Sequence, residues 1–207
     1  TLEDVRKCPH LTSRDFWAED GMNLPWKMSV NHEASRCFVK AKPLEKIKIL
    51  DLTSMWSGPY CTRLFADLGA EVIKIEAPHR PDGIRKSEGV SSPFFCELNR
   101  NKLGISLNLQ LDDEKQHFFK LVEQCDVVIE NFSPRVMGNL GLTDEQLWEI
   151  NPQLLIISLS AFGQSGPYRD FIGYGPTIES MSGISYLTHY EDGAPWLPGF
   201  SVSDIGA

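Results

Sequence analysis

Several features that would narrow the reading quickly are missing from this chain. The five cysteines, Cys8, Cys37, Cys61, Cys96 and Cys125, lie far apart, are odd in number and form no C-x-x-C pair. Such spacing offers neither a disulfide framework nor a zinc site. Reduced thiols fit an intracellular compartment, the cytoplasm or an organelle matrix. No apolar run approaches the roughly 18 residues that a membrane span needs. The opening TLEDVRKCPH lacks the apolar stretch of a signal peptide. Positive charge is scarce: 20 Lys and Arg against 28 Asp and Glu leave a net charge of −8. That balance argues against a general nucleic-acid surface. His10, His32, His79, His117 and His189 show no ligand spacing, so no metal is expected. No G-x-G-x-x-G follows the first predicted strand, which disfavours NAD binding. The stretch Gly163-Gln164-Ser165-Gly166 lacks the Lys-Ser/Thr of a phosphate loop. Short repeats and low-complexity tracts are absent too. The first residue is not Met, and the last falls inside a predicted element, as in a piece of something longer.

What remains is ordinary globular material, 42% hydrophobic and 23% charged over 207 residues. A chain of this length can bury roughly 70% of its unfolded surface. The organising stretch is IKILDLTSMWSGPYCTRLFADLGAEVIKIE, residues 47–76. Ile47 to Leu52 predicts a strand and Ser54 to Gly58 a loop. Pro59 suits the first turn of a helix whose apolar face is Leu64, Phe65 and Leu68. Gly69 suits the helix stop, and Val72 to Ile75 the next strand. This is a βαβ unit and predicts a parallel sheet. Ligands of such sheets sit at the carboxyl ends of the strands, which points to Thr53 to Gly58.

Further strands are predicted at Leu103–Leu107, Asp126–Glu130 and Leu154–Leu159. Residues 76–94 read as a loop. Asp112 to Gln124 reads as an amphipathic helix with Phe118, Leu121 and Val122 on one face. Ser133-Pro134 reads as a helix start, and Thr143-x-x-Gln146 as a capping box. The alternation gives a doubly wound, Rossmann-like α/β domain.

Six motifs carry a resemblance. They are D-x-T-x-x-x-x-G-P with L-F-A-D-L-G-A-E-V-I-K-I-E, then Asn99-Arg100-Asn101-Lys102, then Asp126 to Phe132. Asn151-Pro152, Phe162 to Tyr168 and Met181-Ser182-Gly183 follow in order. Over roughly residues 45–207 the chain resembles the CoA-transferases of family III, the group of formyl-CoA and carnitine CoA-transferases and 2-methylacyl-CoA racemases. The resemblance implies the large domain of that fold, without its C-terminal part. Residues 1–44 read either as an N-terminal extension or as the tail of a preceding copy plus linker. In the second case C-P-H-L-T-S-R-D-F-W and P-W-K-M-S match the family's closing segment. The segment is expected to lie extended on the surface, anchored by Trp17 or Trp26.

The implied activity is transfer of CoA between an acyl-CoA thioester and a carboxylic acid, by an enzyme that pairs as a homodimer or with a second copy. CoA-contacting positions carried over by the resemblance are Met55, Trp56, Lys102, Asn131, Phe132, Asn139 and Leu140. Lys102 would be a cation for phosphate, Phe132 and Leu140 would pack on adenine, and Met55 and Trp56 would flank the thioester. Position 139 is often Arg in the family, and Asn139 lacks that cation; position 77 is often basic, and here it is Ala77. Arg80, Arg85 and Lys86 are nearby and read as solvated. The family's nucleophilic Asp is expected in a G-Y-D motif, which here is Gly173-Tyr174-Gly175. Three readings stay open: a degenerate copy that serves assembly, a substitute carboxylate at Glu179, or CoA-thioester chemistry such as racemisation, isomerisation or lysis without an enzyme carboxylate. Glu179 is otherwise a helix-surface residue. Asp204 matches a family Asp and reads as structural.

Overall fold

The computed structural model describes residues 2–18, 21–22, 42–85, 92–191 and 193–206. Trp26, Cys37, the linker at 31–41 and Lys86 lie outside the described residues. The chain forms two compact units, one of residues 1–29 with 160–207, the other of residues 30–159.

The first unit begins with two short helices, α1 (Leu2–Arg6) and α2 (Pro9–Ser13), and a two-residue pairing of β1 (Trp17–Ala18) with β2 (Gly21–Met22). The N-terminal segment is therefore helical at its start, not extended. Pro9 sits at the first position of α2, where its missing N–H costs nothing. Among the described residues His10 anchors it: the ring is buried, stacks on Tyr168 at 5.0 Å and meets Phe162 edge to face at 5.8 Å.

The second unit holds a five-stranded, all-parallel sheet. In chain order its elements are β3 (Lys48–Asp51), α3 (Ser57–Asp67), β4 (Glu71–Glu76), α4 (Pro93–Asn99), β5 (Leu103–Ser106), α5 (Asp112–Val122), β6 (Val127–Glu130), α6 (Arg135–Asn139), α7 (Asp144–Ile150) and β7 (Leu155–Ser158). The strand order is β5-β4-β3-β6-β7. All five predicted strands are present. Alternate residues divide between two faces. Leu50 and Val128 pack with Phe118, Val122, Leu142 and Leu147; Ile49, Val127 and Ile129 pack with Ala66, Val72 and Phe65. Helices thus cover both faces, as the doubly wound class requires.

Three helices depart from expectation. In α3 the buried residues are Gly58, Pro59, Thr62 and Ala66, while Leu64 and Leu68 are exposed. Gly58, Thr62 and Ala66 form one i, i+4 row, and Leu64 lies about 200° around the helix from Thr62 at 100° per residue. Small side chains on that row let the helix approach the sheet. In α4, Ser92 caps the helix by accepting from Phe95 N at 3.1 Å and Pro93 opens it, within the stretch expected to be a loop. In α6, Pro134 itself is the N-cap, and no side chain caps the helix. The Thr143–Gln146 capping box forms as expected. The first unit continues with α8 (Gly175–Ser182), α9 (Ile184–Leu187) and α10 (Val202–Ile205). Among the described residues no helix is long and apolar enough to cross a membrane.

Candidate active site

The strand order reverses direction at β3. From it the chain adds β4 and β5 on one side, then returns to place β6 on the other. The crevice outside the carboxyl ends of β3 and β6 is therefore the switch point where ligands of open α/β sheets bind. Two loops meet there, Leu52–Trp56 after β3 and Asn131–Pro134 after β6.

Asn131 joins them. Its carboxamide oxygen accepts from Ser54 N at 2.8 Å and its nitrogen donates to Ser54 O at 2.8 Å. Asp51, fully buried at the end of β3, accepts from Thr53 N, Thr53 Oγ1, Thr62 Oγ1 and Lys102 Nζ. Gly58 is where the helix meets this turn, and a Cβ there would collide with Thr53. Lys102 is not at the surface. Its side chain is 1% exposed, and its ammonium also donates to Pro59 O, Thr62 Oγ1 and Asn99 Oδ1 at 2.8 to 3.0 Å. Burial pushes its pKa down, and Asp51 opposes that. A phosphate could reach this ammonium only if those acceptors let go.

Met55 and Trp56 stand at the rim. Met55 takes a left-handed backbone, φ 69°, and its side chain is exposed; Trp56 meets the ring of Phe94 edge to face at 4.9 Å. Phe132 N donates to Glu130 Oε2 at 2.7 Å, and burial pushes the Glu130 carboxyl up. Phe132 and Leu140 are half-buried against the core. Beyond them a cavity of about 440 Å³ is lined by Leu109, Gln110, Lys115, Val136, Asn139 and Leu140. Lys115 brings a cation to this cavity, 3.5 Å from the exposed Asp112 carboxylate. Spacing gave no sign of it, since the residue sits on the polar side of an amphipathic helix. Arg85, expected to be solvated, forks onto Glu76 at 2.6 and 2.9 Å and covers the Phe95 ring at 3.6 Å; Arg80 is exposed.

Two of the cysteines, Cys61 and Cys125, are disfavoured as nucleophiles by their surroundings. Burial pushes the Cys125 thiol up to about 11 and raises that of Cys61. Among the described residues no group of His, Cys, Asp or Glu has the geometry to hold a metal.

In the other unit, Gly175 opens α8. A Cβ built there would run into Ser201 Oγ and would lie 2.5 Å from Asp204 Oδ2. The room that a side chain at 175 would take is filled by Ser201 and by the Asp204 carboxylate. Ser203 Oγ donates to Gly175 O at 3.3 Å, and Ser203 N lies 3.5 Å from Glu179 Oε1. Glu179 is 1% exposed, so it is an interior residue and not a helix-surface one. Asp204 is only half-buried. The loop Phe162–Gly166 is pinned by α2: His10 Nε2 bonds Phe162 O at 2.8 Å, and Arg14 donates to Phe162 O and Ser165 O.

The model of one protein family, described as CoA-transferase family III, matches residues 44–207. The chain is 39% identical over 169 residues to the formyl-CoA:oxalate CoA-transferase of Streptomyces coelicolor, covering 80% of this chain and 41% of the relative. It is 37% identical over 168 residues to the human succinyl-CoA:glutarate CoA-transferase, covering 79% and 38%. The solved structure of a CAIB/BAIF family protein from Brucella suis superposes with TM-score 0.74 at 36% identity, over 79% of this chain and 45% of that one. The chain thus spans about two fifths of the length of the curated relatives it matches.

Proposed function

The chain belongs to CoA-transferase family III, and on that premise we propose that it binds an acyl-CoA and serves transfer of CoA from an acyl-CoA thioester to a carboxylic acid. The observation that carries the reading is the switch-point crevice between β3 and β6, whose two loops are already tied together through Asn131. Met55, Trp56, Phe132, Asn139 and Leu140 are the proposed contacts. Asn131 and Lys102 act from behind, holding the loops in shape. The nucleotide end of CoA fits the cavity at Asn139 and Leu140, where apolar walls suit adenine and Lys115 supplies the phosphate cation that position 139 lacks.

The acyl-carrying carboxylate is proposed to be Asp204. Its carboxylate stands against Gly175, where the sequence offers no side chain, and it is more accessible than the buried Glu179. This favours an active chain over a degenerate one. The Asp204 oxygen attacks the thioester carbonyl carbon; a C–O bond forms, the C–S bond breaks, and CoA leaves as thiolate. The thiolate attacks the aspartyl carbonyl of the mixed anhydride and releases the first carboxylate. The acceptor carboxylate repeats both steps in reverse order, so no proton is consumed. Residues 1–43 precede the family-matched stretch, and residues 1–44 are read as the tail of a preceding copy plus linker.

Equilibrium dialysis with CoA and with CoA lacking its 3′-phosphate tests the binding reading. Lys115→Ala should weaken CoA about tenfold or more, the cost of a charge-assisted contact of about 1.5–3 kcal/mol. No binding by the parent chain would overturn the proposal. Binding that ignores both Lys115→Ala and Asn131→Ala would move the site elsewhere.

A further inference from the structure

The ligand loop is held by a residue that neither the family motifs nor the proposed contacts include. We propose that Asp82 is a positioning residue: it fixes Met55 in its left-handed conformation, and it sets acyl-CoA affinity through that loop without touching the ligand. The inference rests on the reading of Met55 as a contact.

Met55 is a non-glycine residue at φ 69°, the left-handed region where its Cβ crowds the following carbonyl oxygen. Something must offset that crowding. Asp82 is 4% exposed, and its Oδ1 accepts from Met55 N at 3.0 Å and from Ile84 N at 3.2 Å. Its Oδ2 lies 3.1 Å from Lys74 Nζ, an ionic contact, while Lys74 donates its hydrogen bond to Thr53 O at 2.7 Å. One ion pair therefore grips the loop at Thr53 and at Met55, on either side of Ser54, which Asn131 holds. Asp82 is itself tied down, since its N–H donates to Glu76 Oε2 at 3.0 Å. The next residue must be small: a Cβ on Gly83 would lie 2.7 Å from Met55 Sδ, so the thioether rests on the glycine. The segment after β4 thus sets the conformation of the loop after β3. Asp82 and Met55 are 27 residues apart, and no periodicity links them.

A double-mutant cycle tests this, with CoA as the probe in equilibrium dialysis and amide exchange at Met55 followed by NMR without ligand. Asparagine accepts the left-handed conformation more readily than methionine. D82A should raise the CoA Kd about tenfold in the parent background and at most about threefold in the M55N background. It should also speed exchange of the residue-55 amide. If D82A leaves a folded chain impossible, D82N replaces it. Its amide oxygen still accepts from Met55 N, so Met55 exchange should stay slow and the Kd should move less than about threefold. Equal loss in both backgrounds, an unchanged Kd in D82A, or fast Met55 exchange in D82N would overturn the inference. A parent chain that binds no CoA but shows slow Met55 exchange, lost in D82A, would keep the brace and refute the functional reading instead.

Discussion

Residue 175 is glycine because two other side chains already occupy its space. The Cβ of any substitute would meet Ser201 and Asp204, so Gly175→Asp does not restore a carboxylate to an empty place. Even Gly175→Ala must push residues 201–204 aside, at about 1–3 kcal/mol for overpacking. Thermal melts should show that loss, and acyl transfer to Asp204 should fall with it. The sequence shows Gly175, Glu179 and Asp204 but not their meeting in space. Asp204 is 29 residues from Gly175, and contact at that range comes from tertiary packing alone. Lys102 shows the same limit: its charge was legible, its burial was not. His10 gives a pH dependence. Nδ1 accepts from Tyr168 N at 3.1 Å, so Nε2 carries the proton and donates to Phe162 O. Desolvation, with the Arg14 charge adding to it, holds its pKa below 6.5 in spite of that bond. The unfolded chain therefore takes up a proton first as pH falls, and stability declines below about pH 6.5. Melts between about pH 5 and about pH 7.5 should show this slope, and His10→Gln should flatten it.

Among the elements, the five strands were legible because buried parallel strands read as β-branched and aliphatic runs with little interruption. The capping box at Thr143 was legible for a local reason, since its partner lies three residues on. Thr143→Ala should cost about 0.5–2 kcal/mol, seen as a lower denaturation midpoint with unchanged slope. Helix α4 was missed although Ser92-Pro93 is a cap followed by a first-turn proline; among so many breakers in residues 76–94 the pair read as one more. The buried face of α3 was read in part: Phe65 packs on the core as expected, but small residues, not Leu64 and Leu68, meet the sheet. At the crevice, Asn131→Ala removes both bonds to Ser54. It should cost about 1–3 kcal/mol of stability and weaken CoA binding, measured by melts and dialysis on the same preparation.

For the molecule as a whole, the apolar side chains left at the surface of the first unit matter most. Phe171, Ile172, Tyr174, Tyr190, Trp196 and Phe200 are each more than half exposed. Exposed apolar groups in such number mark surfaces that other protein covers. The isolated chain should self-associate, and sedimentation at rising concentration should show species larger than one chain. A single species of one-chain mass throughout would count against it. The fold class was legible before any coordinates, from the order of elements and from six motifs in register. Its division into two units was not, because residues 1–29 and 160–207 join across the whole length of the chain.

The most direct measurement is covalent trapping. The chain is incubated with acyl-CoA, treated with hydroxylamine, and mapped by mass spectrometry. The hydroxamate should lie on Asp204, vanish in Asp204→Asn, and persist in Glu179→Gln. A hydroxamate on Glu179, or none at all in a chain that binds the thioester, would contradict the account.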